Sequence, residues 1–335
     1  MRFIRPIQHV LAIFSKQKSF LSNPVIASPL LNRLGLHVFR VVAARGIYRL
    51  RLLVLAPLVD VEDRRLFARQ GYLVKRDFLS QAELESLRSE IAALEARIHE
   101  TIEGDTRNQR VFVDATSMAR LPTLRDMLVA GSRTAVIRYT NSKNRLPLVF
   151  IENLLRGALP GNAQDPQSTP HRDTFHPTIK AWLFIDDVTS ESGPFTYVPG
   201  SHRLTARRLR WEYARSLVAR NLSDGHSEDG SFRATEEDIV TLGSSDPVRF
   251  AVPANTLVVA DTSGIHWRGG ASARTRRRAI WIQSRDNPFS PTLTPFPQKT
   301  RRVTEYFVKR HLARFDASVG GREGERVFTG RLSGG

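Results

Sequence analysis

The chain has 335 residues, 41% hydrophobic and 25% charged, enough for one large globular domain or one domain with extensions. It has no cysteine, which excludes disulfides, thiolate metal sites, iron–sulfur clusters and a cysteine nucleophile, so any metal must be held by His, Asp or Glu. The 50 Lys+Arg against 33 Asp+Glu give a net charge of +17, a bias toward anionic partners. The arginines are scattered rather than massed in one block, so the charge alone names no partner.

Residues 1–60 read as a basic N-terminal extension, since the first 59 contain no Asp or Glu. The apolar stretch Leu36–Leu58 is broken by four arginines and is too charged for a span of ~20 apolar residues. No apolar core precedes a small-residue cleavage site, so a secretory signal is not expected. The segment either packs on its own protein or lies peripherally on an anionic membrane. On a helical projection Arg33, Arg40 and Arg51 fall together while Arg45 and Arg49 land opposite, an imperfect amphipathic pattern. The expected location is cytoplasmic, with a peripheral place at the inner face of a membrane as the second option.

Residues 61–300 carry the main domain. Gly71–Val74 predicts a short strand. Ser80-Gln81-Ala82-Glu83 is a capping box, opening a helix with Leu84, Leu87, Ile91, Leu94 and Ile98 on one stripe. Residues 116–131 predict a helix broken near Pro122; Ala135–Tyr139 and Pro147–Glu152 predict strands around the polar turn Asn141–Asn144. After a loop at Gly161–Pro170, strands are expected at Ile179–Ile185, Phe195–Val198, Val248–Val252, Thr256–Ala260 and Arg278–Gln283, separated by Gly/Pro turns. Residues 203–246 form a polar insertion with a helix at Ala206–Arg220, placed where a lid or substrate loop would sit. Residues 301–335 are expected to hold a C-terminal helix and a mobile tail from Gly320. Short strands with helices outside them indicate a β-sandwich or jelly-roll core.

The chemistry centres on His171-Arg172-Asp173 and, far downstream, His266. On an extended strand the first and third residues share a face. Two imidazoles and one carboxylate on one face suit a divalent metal and leave three positions open, as in non-haem Fe(II) oxygenases.

Four ordered blocks carry a resemblance. "FARQGYLVKRDFLSQAELESLRSEI" (Phe67–Ile91), "HRDTFHPTIKAWLFIDDV" (His171–Val188), "ESGPFTYVPGSHR" (Glu191–Arg203) and "DTSGIHWRGGASARTRRRAIW" (Asp261–Trp281) resemble the phytanoyl-CoA dioxygenase family of Fe(II)/2-oxoglutarate oxygenases. The resemblance covers about residues 64–290 and implies a mainly β fold with flanking helices around a double-stranded β-helix (jelly-roll, cupin-like) core. It also implies His171, Asp173 and His266 as the catalytic Fe(II) ligands. Arg277, eleven residues past the distal histidine, would grip the far carboxylate of the cosubstrate 2-oxoglutarate; a planar guanidinium suits that task. Trp182 stands where the family has a tryptophan near the cosubstrate, or simply fills the core. The implied reaction couples O2 and decarboxylation of 2-oxoglutarate to hydroxylation of a substrate C–H bond. Asp173 favours hydroxylation, because halogenating relatives carry a small residue there.

The substrate is expected to be a small or lipid-like, anionic molecule, its pocket lined by Phe175, Trp267, Arg268 and the 203–246 insertion. His176 is a minor candidate for substrate contact, and His202 is expected to serve its turn. Three rivals remain: a non-catalytic jelly-roll binding protein, a nucleic-acid binder or demethylase, and a metal-dependent or Ser263-His266-Asp261 hydrolase. Nucleic acid is not the expected partner, since no aromatic-lined basic groove is evident, and no nucleophile elbow accompanies Ser263.

Overall fold

The computed structural model describes residues 4–157, 165–271, 274–284, 286–291, 293, 306, 309, 310, 313 and 325–332. The chain opens with three helices, α1 (Ile4–Leu11), α2 (Pro29–Arg33) and α3 (Leu36–Leu55), then α4 (Val61–Gln70), β1 (Tyr72–Lys75) and α5 (Gln81–Ala93). Next come the hairpin β2 (Ala96–Glu103) and β3 (Thr106–Phe112), the helices α6 (Ala115–Ala119), α7 (Pro122–Val129) and α8 (Ala135–Thr140), and β4 (Leu148–Arg156). The second half contributes β5 (Ile179–Phe184), β6 (Phe195–Tyr197), α9 (Ala206–Val218), α10 (Glu236–Leu242), β7 (Val248–Arg249), β8 (Thr256–Asp261), β9 (His266–Arg268), β10 (Thr275–Gln283) and β11 (Glu325–Gly330).

These strands form two antiparallel sheets, one of eight strands in the order β1-β8-β5-β10-β4-β3-β2-β11 and one of three, β7-β6-β9. Side-chain alternation divides the larger sheet into two faces. Ile280 and Ile282 of β10, with Ala181 and Leu183 of β5, pack under α5 and α7 against Leu87, Ile91, Leu124 and Met127. Ala279 and Trp281, with Trp182 and Phe184, face the smaller sheet and meet Phe195, Tyr197 and Phe250. Full burial of each large apolar side chain stabilises the fold by roughly 1.5–3 kcal/mol. The architecture is the expected mainly β core with flanking helices.

Several local expectations are revised. The capping box at Ser80 and Glu83 is present, but α5 ends at Ala93, where Leu94 turns to an extended ψ of 115°. Ile98 therefore lies on β2, not on the helical stripe, and is fully buried there. The β2–β3 hairpin escapes an apolar-run search because its strands are rich in charged and amide side chains. Ala135–Tyr139, β-branched enough to suggest a strand, is helical as α8. Its place under α3 decides this: Tyr48 Oη donates to Thr140 O at 2.6 Å. The tail also holds order: β11 pairs with β2 from Glu325↔Thr101 to Gly330↔Ala96. Most of the expected C-terminal helix lies outside the described residues.

The basic segment packs on its own protein. The buried face of α3 carries His37, Arg40, Val41, Ala44, Arg45, Tyr48, Arg51 and Leu55, so Arg45 joins Arg40 and Arg51 instead of opposing them. Buried guanidinium groups need partners, and these have them. Arg40 donates to the carbonyls of Ile13, Ser15 and Gln17. Arg51 donates to those of Pro288 and Ser290 and to Ser142 Oγ. No helix among the described residues is long and apolar enough to cross a membrane.

Candidate metal centre

His171 and His266 sit directly opposite each other across a two-bond bridge, with His171 N donating to His266 O at 3.0 Å and His266 N to His171 O at 2.8 Å. This pairing sets the two imidazoles side by side, ring centroids 4.5 Å apart. Asp173 N donates to Thr262 O, continuing the extended run. The alternation read from the sequence then holds: His171 and Asp173 face one side, and Arg172 is buried on the other. Asp173 Oδ1 lies 3.7 Å from His171 Nε2 and 3.6 Å from His266 Nε2. One ligand atom from each of the three residues falls within 4.8 Å of the others.

The chemistry of this donor set suits a divalent cation. His171 Nδ1 lies 2.7 Å from Thr169 O and His266 Nδ1 3.0 Å from Gly264 O. A carbonyl can only accept, so each Nδ1 carries the proton and each Nε2 turns its lone pair to the shared centre. Burial, with the neighbouring His266, pushes His171 well below the ordinary imidazole range, keeping it neutral. Burial opposes the charge of Asp173, yet Lys180 and His266 hold its carboxyl well below the usual carboxylate range. Lys180 Nζ takes Asp173 Oδ2 at 2.8 Å, which leaves Oδ1 for the centre.

The strand bearing the pair is braced from behind. Arg172 gives two 2.8 Å bonds to the buried Glu212 of α9, which also meets Arg208 and, at 2.8 Å, His37 Nε2 of α3. Lys18 Nζ donates to Asp173 O at 2.6 Å. The Asp261–His266 turn is fixed by Arg45, whose Nη1 reaches Asp261 Oδ2 and whose Nη2 reaches Ser263 Oγ, each at 2.8 Å. A Cβ at Gly264 would strike Tyr197 Oη, so this turn admits only glycine without a shift.

A cavity of about 220 Å³ opens on the three donors. Arg277, Trp182, Trp267, Arg268 and Trp281 line it as well. Arg277 is buried, burial pushes it down to about 10, and it stays charged at neutral pH. It donates to Gly193 O at 3.0 Å while its Nε has no partner. Trp182 packs against Phe195 with the rings tilted and centroids 4.6 Å apart, so it both fills the core and walls the cavity.

Other expectations shift. Phe175 does not line the cavity; it is buried beneath the Arg40 guanidinium, 4.1 Å from its ring centroid, and near Phe289. No residue of 203–246 lines it either, because Glu212 ties α9 behind the ligand strand instead of over the mouth. His176 turns Nδ1 to Pro177 O, and His202 is buried beside Gly71. Ser263 Oγ is engaged by Asp261 and Arg45 while His266 Nε2 faces Asp173, so the hydrolase triad is not assembled. Sequence reasoning missed Lys180, Arg110, Glu152 and Gln283 on the cavity wall. For Lys180 a signal existed: it precedes Trp182 by two on the same strand and so shares its face.

Among solved structures, the chain is similar to the epimerase SnoN from nogalamycin biosynthesis (21% identity, 66% of this chain and 81% of that one, TM-score 0.41). It is also similar to HygX from Streptomyces hygroscopicus with nickel and 2-oxoglutarate bound (18%, 67% and 86%, 0.41) and to AviO1 from Streptomyces viridochromogenes Tue57 (18%, 72% and 99%, 0.41). No curated protein matches it. The family model described as phytanoyl-CoA dioxygenase (PhyH) matches residues 67–241, just over half of the chain, and takes in the first histidine, the aspartate and the strand that follows them. The chain belongs to the phytanoyl-CoA dioxygenase family.

Proposed function

We propose that this protein is an Fe(II)- and 2-oxoglutarate-dependent dioxygenase that hydroxylates a C–H bond of a small or lipid-like anionic substrate. The observation that carries this reading is the pairing of His171 with His266, each Nε2 facing Asp173 Oδ1 over an open cavity. His171, Asp173 and His266 would hold the iron, Arg277 the far carboxylate of 2-oxoglutarate, and Trp182 would flank that cosubstrate. Together, iron and 2-oxoglutarate supply activation of O2, with succinate and CO2 as the coproducts.

The chain's own residues prepare this site. Thr169 O and Gly264 O fix the tautomers, Lys180 restricts Asp173 to one free oxygen, and Trp182, Phe195 and Trp281 keep water from the cavity wall. Arg277 gives Nη1 to Gly193 O while its Nε has no partner, which supports a carboxylate as the group it would take. On the cavity wall Arg110 is paired with Glu152, Arg268 with Asp165 and Lys180 with Asp173, so the anionic character proposed for the substrate rests on the net charge of +17.

The test is succinate release by the full chain supplied with Fe(II), 2-oxoglutarate and O2, beside metal and 2-oxoglutarate binding measured directly. Turnover in the wild type and loss of both metal and turnover in His171→Ala are expected. Metal and 2-oxoglutarate binding without succinate would favour the non-catalytic jelly-roll binder, and no metal binding at all would end the proposal.

A further inference from the structure

Helix α3 is built inside out. Its arginines at 40, 45 and 51 face the protein, while Phe39, Val42, Leu50, Leu53 and Val54 stand in solvent. Leu50 is 64% exposed and Leu53 72%. At 3.6 residues per turn, positions 39, 42, 46, 50 and 53 form one row about 21 Å long. The row does not end with the helix. Phe14 meets Phe39 edge to face at 6.4 Å, carrying the surface on to Val10, Leu11 and Ile7 of α1, all exposed. Leu30 and Leu34, at and just after α2, are exposed too. Isolated apolar side chains on a surface mean little, but a run of this size with one charge sign marks a binding face.

We infer that the outward face of α1 and α3 docks the protein on an anionic lipid bilayer. The occupant follows from charge. Exposed Arg33 and Arg49 border the apolar row, and no carboxylate occurs anywhere in the first 59 residues. A two-fold pairing of this face with a second copy would set Arg33 and Arg49 against their own counterparts, with no carboxylate on α1, α2 or α3 to receive them; Asp60 and Glu62 follow only beyond the end of α3. An acidic bilayer accepts the apolar row among its acyl chains and the arginines among its headgroups. None of the residues lining the cavity belongs to residues 1–59, so docking and turnover can be read separately, and this inference stands apart from the proposed chemistry.

The experiment is cosedimentation of the full chain with vesicles of phosphatidylcholine alone or mixed with phosphatidylserine. Binding to the mixed vesicles, weakened by salt and at least about tenfold stronger than to phosphatidylcholine alone, is expected. Leu50→Ser/Leu53→Ser should cut it about tenfold or more, since both side chains would leave the acyl region. Arg33→Gln/Arg49→Gln should cut it several-fold only on the acidic vesicles, about fivefold per charge at most. Both variants replace exposed side chains and should keep the melting temperature and succinate release of the parent. Absence of vesicle binding, or binding indifferent to the leucines, overturns the inference. So does a dimer, seen by light scattering, that the leucine variant converts to a monomer without any vesicle binding.

Discussion

Arg45 Nη1 lies 2.8 Å from Asp261 Oδ2, joining a helix of the basic N-terminal segment to the strand that leads into His266. The carboxylate is fully buried and the guanidinium nearly so. Burial alone would drive the Asp261 carboxyl up, yet Arg45 and His202 hold it below the usual range. The second guanidinium nitrogen reaches His202 O and Ser263 Oγ, so one side chain ties two loops that flank the centre. A segment that looks appended in the sequence is thus part of the support of the site.

Removing Arg45 leaves an unpaired charge inside the protein. Arg45→Met should lower stability by about 3–5 kcal/mol, read from urea unfolding. Adding Asp261→Asn should recover part of that loss, because the stranded charge is then gone. If the double variant were no more stable than the single one, the pair would not be coupled as described.

Arg277 is expected to serve cosubstrate alone. Arg277→Gln should weaken 2-oxoglutarate binding by roughly 10- to 100-fold, the worth of charge-assisted hydrogen bonds. Metal affinity should stay near that of the parent, since the guanidinium is no ligand. Titration calorimetry with each component separates the two effects, and a parallel loss of metal would contradict the assignment.

Lys180 bears on the pH range of metal binding. Its ammonium lowers the Asp173 carboxyl, so the carboxylate survives into acid. In Lys180→Met that support is gone and the carboxyl rises. The acid limb of metal binding should therefore move to higher pH, while affinity on the neutral plateau changes less. An unmoved acid limb would show that the lysine does not set it.

Buried neutral histidines make the fold sensitive to mild acid. Burial pushes both His176 and His202 down to about 3. Unfolded, each titrates near 6.5, so below that pH the unfolded chain binds more protons and stability falls. The slope is about 1.4 kcal/mol per pH unit for each histidine, between pH ~6 and pH ~3. Urea unfolding at pH ~6.5 and pH ~5 should show the decline, and His202→Gln should make it shallower.

How much of this was visible in the amino-acid order depends on where each partner lies. The apolar runs of β5, β8 and β10 and the capping box of α5 announced themselves, because their causes are local. The ligand pair was legible from His-x-Asp alternation together with the family blocks. The β2–β3 hairpin was not, since its buried side chains are polar and find partners on other strands: Gln109 Nε2 donates to Glu100 Oε2 at 2.8 Å, and Asn108 Nδ2 donates to Glu152 Oε1 of β4. Nor was the role of Arg45, whose helical angle says nothing about an acid 216 positions away. Ala135–Tyr139 misled because packing under Tyr48 overrode β-branched propensity.

The same long-range ties govern how the chain is made. Lys18 must wait for Asp173, His37 for Glu212 and Arg45 for Asp261, separations of 155, 175 and 216 positions. A nascent chain leaving the ribosome therefore presents its first 59 residues long before their counterparts are synthesised. Closing spans of that size is slow. Until Asp173, Glu212 and Asp261 have emerged, this greasy, cationic segment lacks those partners, and the newborn polypeptide is a natural client for chaperones.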